Sequence, residues 1–337
     1  MKINKVRTEK KGIDIAKFLC AILVVCIHTH PLQYGTTIDY YFNCFCRIAV
    51  PFFFVSSSYF YYTRGGQIKN YLKRLFILYL CWFVVELPLT IKVYFFDAEG
   101  SLLFNSLKFL RGLLINNSFF ASWFLTALME GMLIIHLVEN KKPNLVYALG
   151  VVCFILGLLW SMWYGLLRGT MFETYYHYFG LVVMPANSFI IAIPYLIIGK
   201  WFAEKMIPKI NYLLCVIFVL MAVVEVCICK DSFNKPFDDV YISLIPLSII
   251  IFQFASKISI SKTSSLNSVC RFLRKCSILI YLLHPVFIYI FEQFGLFQTQ
   301  SDYNPLVFFL SVLVCSVLCS SLIIALSKRY NFLKYMY

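Results

Sequence analysis

Residues 12–32 read GIDIAKFLCAILVVCIHTHPL, and the class of this protein turns on them. A helix of this length, at 1.5 Å per residue, is about 30 Å long, which matches the hydrocarbon core of a bilayer. It carries Asp14, Lys17 and His28, with His30 at its end, and almost everything between them is apolar. A basic stretch precedes the segment, as in a signal peptide. The internal charges and the lack of a small-residue cleavage site argue instead for a retained helix.

Working outward, apolar runs of similar length recur along the whole chain. They predict spans at about 13–33, 40–60, 71–95, 119–138, 145–164, 180–203, 211–229, 240–256, 276–295 and 305–327. The expected fold is all-α: one polytopic membrane bundle over residues 1–337, with about ten transmembrane helices. Composition points the same way. Hydrophobic residues make up 61% of the 337 and charged residues 14%, against about 25% charged in a soluble domain. Mean hydropathy is +0.78. Membrane lipid is the expected surroundings. Ser101 to Leu114 is apolar yet too short to cross, and suits an interfacial helix on the outer face.

The net charge of +14 invites a nucleic-acid reading, and its distribution excludes one. Lys and Arg fall in alternate connections between the apolar runs, 22 in one set and 6 in the other. The richer set includes both termini, which predicts a cytoplasmic N-terminus and C-terminus. The 13 cysteines lie mostly within apolar runs, where thiols behave as small hydrophobes rather than as a disulfide framework. Cys44-x-Cys46 and His28-x-His30 resemble ligand pairs, but residues two apart on a helix point about 200° away from each other. No metal is expected.

Ionisable groups inside a membrane are disfavoured and mark candidate sites. By helical rotation Asp14, Lys17 and His28 share one face of the first span. Lys17 and His28 are 11 residues apart, about 16 Å along the axis, with Lys17 near the cytoplasmic end. A cation there could hold the phosphates of a nucleotide-bearing donor, while the neutral imidazole farther out acts as a base. The competing reading pairs Asp14 with Lys17 and leaves His28 hydrogen-bonded in the core. In the second span Arg47 precedes Pro51 and the Ser56-Ser57-Ser58-Tyr59 run, where the serines also suit helix packing. Trp123, Thr126 and Glu130 share a face in the fourth span, and Ser277, Tyr281 and His284 share one in the ninth. Glu86 and Glu225 are further buried carboxylates. There is no Walker loop, dinucleotide fingerprint, H-E-x-x-H motif or G-x-S-x-G elbow.

The order of four motifs carries a resemblance. GIDIAKFLCAILVVCIHTHPL (12–32), CRIAVPFFFVSSSYF (46–60), SWFLTALME (122–130) and SILIYLLHP (277–285) together resemble the acyltransferase-3 family of bacterial membrane proteins. The first segment is most similar to the subgroup holding the enterobacterial common antigen O-acetyltransferase and the membrane half of serine racemases. The resemblance implies a multi-pass protein of the bacterial inner membrane that moves an acyl group, usually acetyl from acetyl-CoA or another acyl-CoA, to a hydroxyl of a glycan or lipid-linked sugar. It implies catalytic roles for His28, Arg47, Tyr281 and His284, donor binding by Lys17, Ser57 and Ser58, and substrate binding by Trp123 and Asn187, with Glu130 added to the substrate-binding set because it shares the Trp123 face. Lys17 stands where the family more often has Arg, and Ser58 where it has Gly. The alternatives kept open are a transporter of a surface polysaccharide or small solute, and a non-catalytic scaffold. A racemase reading is disfavoured because no soluble domain follows residue 327.

Overall fold

A computed structural model describes residues 10–114, 120–205, 211–232, 239–258, 264–295 and 304–337. Parts of the basic segments counted above lie outside them. The first helix, α1 (Lys11–Thr29), stops where its sequence requires. Pro31 cannot continue a helix, and His30 turns left-handed (φ 48°) with its backbone N–H on the Cys26 carbonyl. The others are α2 (Thr37–Cys46), α3 (Ala49–Thr63), α4 (Ile68–Ile91), α5 (Leu102–Leu114), α6 (Trp123–Lys141), α7 (Leu145–Leu159), α8 (Met171–Val183), α9 (Phe189–Glu204), α10 (Tyr212–Ser232), α11 (Leu244–Lys257), α12 (Ser264–Gln293) and α13 (Pro305–Leu326). Among the described residues there is no strand.

Helix occupies every predicted span, with three corrections to continuity. The span at 40–60 is two helices, broken by a turn at Arg47 and Ile48. The span at 180–203 is interrupted at Met184–Ser188: Met184 is left-handed (φ 44°), Pro185 follows, and Ser188 opens α9 by accepting from the Ile190 N–H at 3.3 Å. The span at 145–164 leaves the helix after Leu159. Among the described residues, six stretches are long and apolar enough to cross a membrane: Lys11–Thr29, Thr37–Thr63, Ile68–Phe96, Tyr212–Lys230, Ser265–Gln293 and Pro305–Leu326. The chain is a multi-pass membrane protein.

The outward surface fits lipid. Along α13, Leu306, Leu310, Val314, Leu318 and Leu322 are exposed, and α10 presents Leu213, Val216, Leu220 and Val223. Such apolar belts have no place in water. Leu102, Leu103, Leu107 and Leu110 of α5 are likewise exposed beside a buried Asn105, as an interfacial helix would be. All 13 cysteines are free thiols.

The core is built on two close helix pairs, α3 with α9 and α1 with α12. The α3–α9 pair depends on small residues. A side chain on Gly199 would run into the Val55 carbonyl and lie 2.9 Å from Ser58 Cβ. Ser58, fully buried, donates its hydroxyl to the Leu196 carbonyl at 2.6 Å. One end of this pair is tied by Lys200, which bridges Glu139 of α6 at 2.9 Å and also reaches Glu204. Gly199→Val should therefore destabilise the protein by about 1–3 kcal/mol through overpacking. Thermal unfolding in detergent reads this directly, and an unchanged midpoint would refute the close approach.

Candidate active site

The face of α1 that carries Asp14 and His28 packs on α12. At one end Arg274 Nη1 of α12 donates to Asp14 Oδ2 at 3.4 Å. Toward the other end the His28 and His284 rings lie 5.2 Å apart between centroids, tilted by 32°. The two helices therefore run parallel and bring together residues 256 positions apart. His28 and His30 part company as the rotation predicted: His30 Nδ1 turns to Asp39 Oδ2 at 2.7 Å, on α2.

Pro285 has no N–H, so the Tyr281 carbonyl one turn earlier lacks its helical donor. In this loosened turn His284 Nδ1 lies 3.3 Å from the Ile280 carbonyl. A carbonyl only accepts, so that bond puts the proton on Nδ1 and leaves Nε2 with its lone pair. This Nε2 is buried with no hydrogen-bond partner, and His284 is 1% exposed. His28, in contrast, is exposed. It opens into a cavity of about 250 Å³ lined with His284, Tyr281, Trp123 and Ala121 at one level and Pro285, Ile288, Tyr289 and Glu292 beyond. That volume is just below the usual range for a ligand site; it admits a reacting group rather than a whole glycan.

Aromatic rings fix the back of this cavity. Tyr281 packs edge-on against Phe53 (5.7 Å) and Phe124 (5.3 Å), and Phe124 meets Phe54 at 4.6 Å. The Phe run at 52–54 thus serves as the wall behind Tyr281. Glu86 of α4, fully buried, accepts the Ser122 hydroxyl at 2.6 Å. Ser122 sits between Ala121 and Trp123, so Glu86 anchors the segment that supplies both lining residues.

The opposite end of α1 holds a cluster of cations. Lys17 Nζ lies 5.2 Å from the centre of the Phe60 ring, and Arg64 lies 4.8 Å from the same ring. Asp14, Arg274 and Arg64 are the charged groups that act on Lys17. Among the described residues, Lys17, Arg64 and Arg274 thus gather around the Asp14 carboxylate. Ammonium and guanidinium groups brought together in this way can donate to an anion such as a phosphate.

Four of the ten sequence-derived site residues meet at the cavity: His28, Trp123, Tyr281 and His284. The others are placed elsewhere. Arg47 pairs with Asp239, in the connection before α11, and is not among the lining residues. Ser58 is consumed by the α3–α9 contact, and Ser57 is half-buried beside it. Glu130 lies in a separate groove with Lys69, Lys73, Phe76, Met129 and Leu133. Asn187 lies in the turn before α9, away from the cavity lining. Neither Glu130 nor Glu86 holds His28 in the geometry just described. The sequence reading missed Tyr289, Glu292, Arg64 and Arg274. Two of these were available, because Tyr281, His284, Pro285, Ile288, Tyr289 and Glu292 all fall on one stripe of α12. Among the described residues no three His, Cys, Asp or Glu side chains group as metal ligands.

A family model for the acyltransferase domain matches residues 10–325, nearly the whole chain. The chain belongs to the acyltransferase-3 family. Among curated proteins it is similar to an amino-acid racemase of Enterococcus faecalis, 24% identical over 94% of this chain and 46% of that protein. It is also similar to a serine/alanine racemase of Enterococcus gallinarum, 29% identical over 50% of this chain and 25% of that protein. The chain spans about half the length of the first of these relatives. No solved structure matches. As a membrane acyltransferase-3 domain, the chain presents His28 and His284 toward one end of the α1–α12 contact, and Lys17 and Arg274, with Arg64 at the end of α3, toward the other.

Proposed function

We propose that the protein transfers an acyl group, most simply acetyl, from acyl-CoA to a hydroxyl of a surface glycan or lipid-linked sugar. The observation that carries this reading is the cavity in which reachable His28 stands against buried His284, about 16 Å along α1 from the Lys17 cluster. That separation suits a donor whose phosphates are held by Lys17, Arg64 and Arg274 while a pantetheine arm reaches the imidazoles. The charge alternation supports an orientation with the cation end toward the cytoplasm, where acyl-CoA is made, and the cavity in the outer half.

The reaction follows from the groups present. His28 accepts the proton of the acceptor hydroxyl as its oxygen attacks the thioester carbonyl. The new C–O bond forms, the C–S bond breaks, and the proton passes from His28 to the leaving thiolate, so the imidazole returns neutral. Tyr281 offers its hydroxyl to the carbonyl oxygen as negative charge develops there. His284, with Nδ1 turned to the helix, offers a second nitrogen acceptor to the hydroxyl being activated. Arg47 is held by Asp239, so this reading gives it the task of fixing the α2–α3 turn beside His28.

Purified protein in nanodiscs should release thiol from acetyl-CoA. Neutralising any one of the three cations (Lys17→Gln, Arg64→Gln or Arg274→Gln) should raise the donor KM about tenfold, roughly the value of one charge-assisted contact, with kcat little changed. Absence of acyl-CoA binding by the folded protein would sink the proposal and leave solute transport, measured as flux in proteoliposomes, as the reading to pursue.

A further inference from the structure

We propose that His28 and His284 together form an exchangeable zinc site in the cavity, and that Zn²⁺ bound there shuts off the base. The binding stands apart from the transferase reading; the inhibition rests on it. The His284 ring is already set as a ligand. Its Nδ1 is turned to the Ile280 carbonyl at 3.3 Å, and its Nε2 is buried with no hydrogen-bond partner. An imidazole that donates one ring N–H to a backbone carbonyl and keeps the other nitrogen bare has the arrangement of a metal-ligating histidine.

The spacing of the two rings selects the metal. A histidine nitrogen lies about 2.0–2.1 Å from zinc, which puts each ring centre about 3.2 Å from the ion. Two such rings at the tetrahedral angle have centres about 5.2 Å apart, against about 4.5 Å at the right angle of a square-planar metal. The centres of His28 and His284 are 5.2 Å apart. His28 is exposed and lines the cavity, and turning about its Cβ–Cγ bond swings its nitrogens while the ring centre stays in place.

Two imidazoles are fewer than the three or four protein ligands of a resident zinc, and among the described residues no third His, Cys, Asp or Glu joins them. Water takes the other positions, for which the cavity of about 250 Å³ has room. The ion is therefore exchangeable. Arg47, whose charge acts on His28, is paired with Asp239, which limits its repulsion of a second cation. Once zinc holds both lone pairs, neither imidazole takes the proton of an acceptor hydroxyl.

The test is a calorimetric Zn²⁺ titration of the tag-free protein in nanodiscs, with thiol release from acetyl-CoA measured alongside. The wild type should bind one more Zn²⁺ than His28→Ala or His284→Ala, and the double variant should bind as many as either single one. Loss of one imidazole should weaken binding at this site at least about a hundredfold, beyond the cost of outer-shell substitutions. His30→Ala, which breaks the separate pair with Asp39, should leave this binding unchanged. Melting temperatures check that the variants fold, and His→Gln replaces either alanine variant that melts early. Zn²⁺ should inhibit thiol release by the wild type, and EDTA should restore it. No zinc bound by the wild type, binding unchanged in either single variant, or thiol release that persists with the site full would each overturn the proposal. If zinc fails to bind, thiol release that is lost in His28→Ala keeps the transferase reading. Zinc held by both imidazoles in a protein that releases no thiol keeps the metal site while that reading falls.

Discussion

His28→Ala is expected to reduce acyl transfer by about 10²- to 10⁴-fold, the usual contribution of a positioned general base. Of the two imidazoles, His28 is the one open to the cavity, while His284 is buried and its Nδ1 faces the Ile280 carbonyl. The loss should appear in kcat, because the donor phosphates are assigned to groups about 16 Å away. Donor binding measured by equilibrium titration should persist in the variant. The substitution removes a ring that faces a cavity, so folding should survive, as size exclusion and melting would report. His284→Ala is the informative partner. If His284 acts through His28, the double variant should be no slower than His28→Ala alone, since groups that act as a unit are not additive. Activity retained in His28→Ala would remove the mechanism altogether.

Glu225→Ala is expected to be the most damaging change to stability, by about 3–5 kcal/mol, the range for removing one partner from a buried charged network. Glu225 lies on α10, and four donors converge on it. Trp163 Nε1, the Ile242 N–H, the Ser243 N–H and the Ser243 hydroxyl approach within 2.6 to 2.8 Å. Two of these are backbone groups at the start of α11, where helix N–H groups have no partner of their own. Nearby, the Val240 N–H donates to Ser161 Oγ at 2.8 Å, and the Tyr241 hydroxyl to the Cys44 carbonyl at 3.3 Å. The same short segment carries Asp239, the partner of Arg47. Loss of Glu225 should therefore loosen the Arg47 turn as well as the α10–α11 junction. A lowered melting temperature in detergent, with Glu225→Gln falling between wild type and Glu225→Ala, is the expected pattern. A Glu225→Ala protein as stable as wild type would show that water replaces the carboxylate without cost.

The sequence reading went furthest where one helix carries the information. The rotation that placed Asp14 and His28 on one face needed no partner helix, and that face proved to be the one against α12. The same arithmetic separated His28 from His30. It could not say which helix would meet His28, because contacts between residues 28 and 284 leave no mark in local spacing. Ser58 shows the limit in the other direction. A hydroxyl in a row of small residues suits a ligand or a helix interface equally, and only the proximity of Gly199 decides for the interface. Arg47 is similar: its charge signalled importance, but Asp239 follows it by almost two hundred residues. Glu130 was assigned to the site with Trp123 because the two share a helical face. They differ by two turns in depth, about 10 Å, which is enough to put them in different cavities. The break at Met184–Ser188 was legible in Pro185 and passed over because the flanking residues are so apolar.

The pairing of His28 with His284 also has a consequence for biosynthesis. The ribosome must deliver some 250 residues after the first imidazole before the second can join it, and α12 must settle beside α1 for the cavity to close. Every shorter nascent chain already in the bilayer carries His28 without its neighbour and without the Tyr281 wall. If acyl-CoA is the donor, as proposed, such chains would be inert toward it even where they display Lys17 and Arg64. On the proposed transferase reading, the catalytic pair thus comes into being only when the chain is complete.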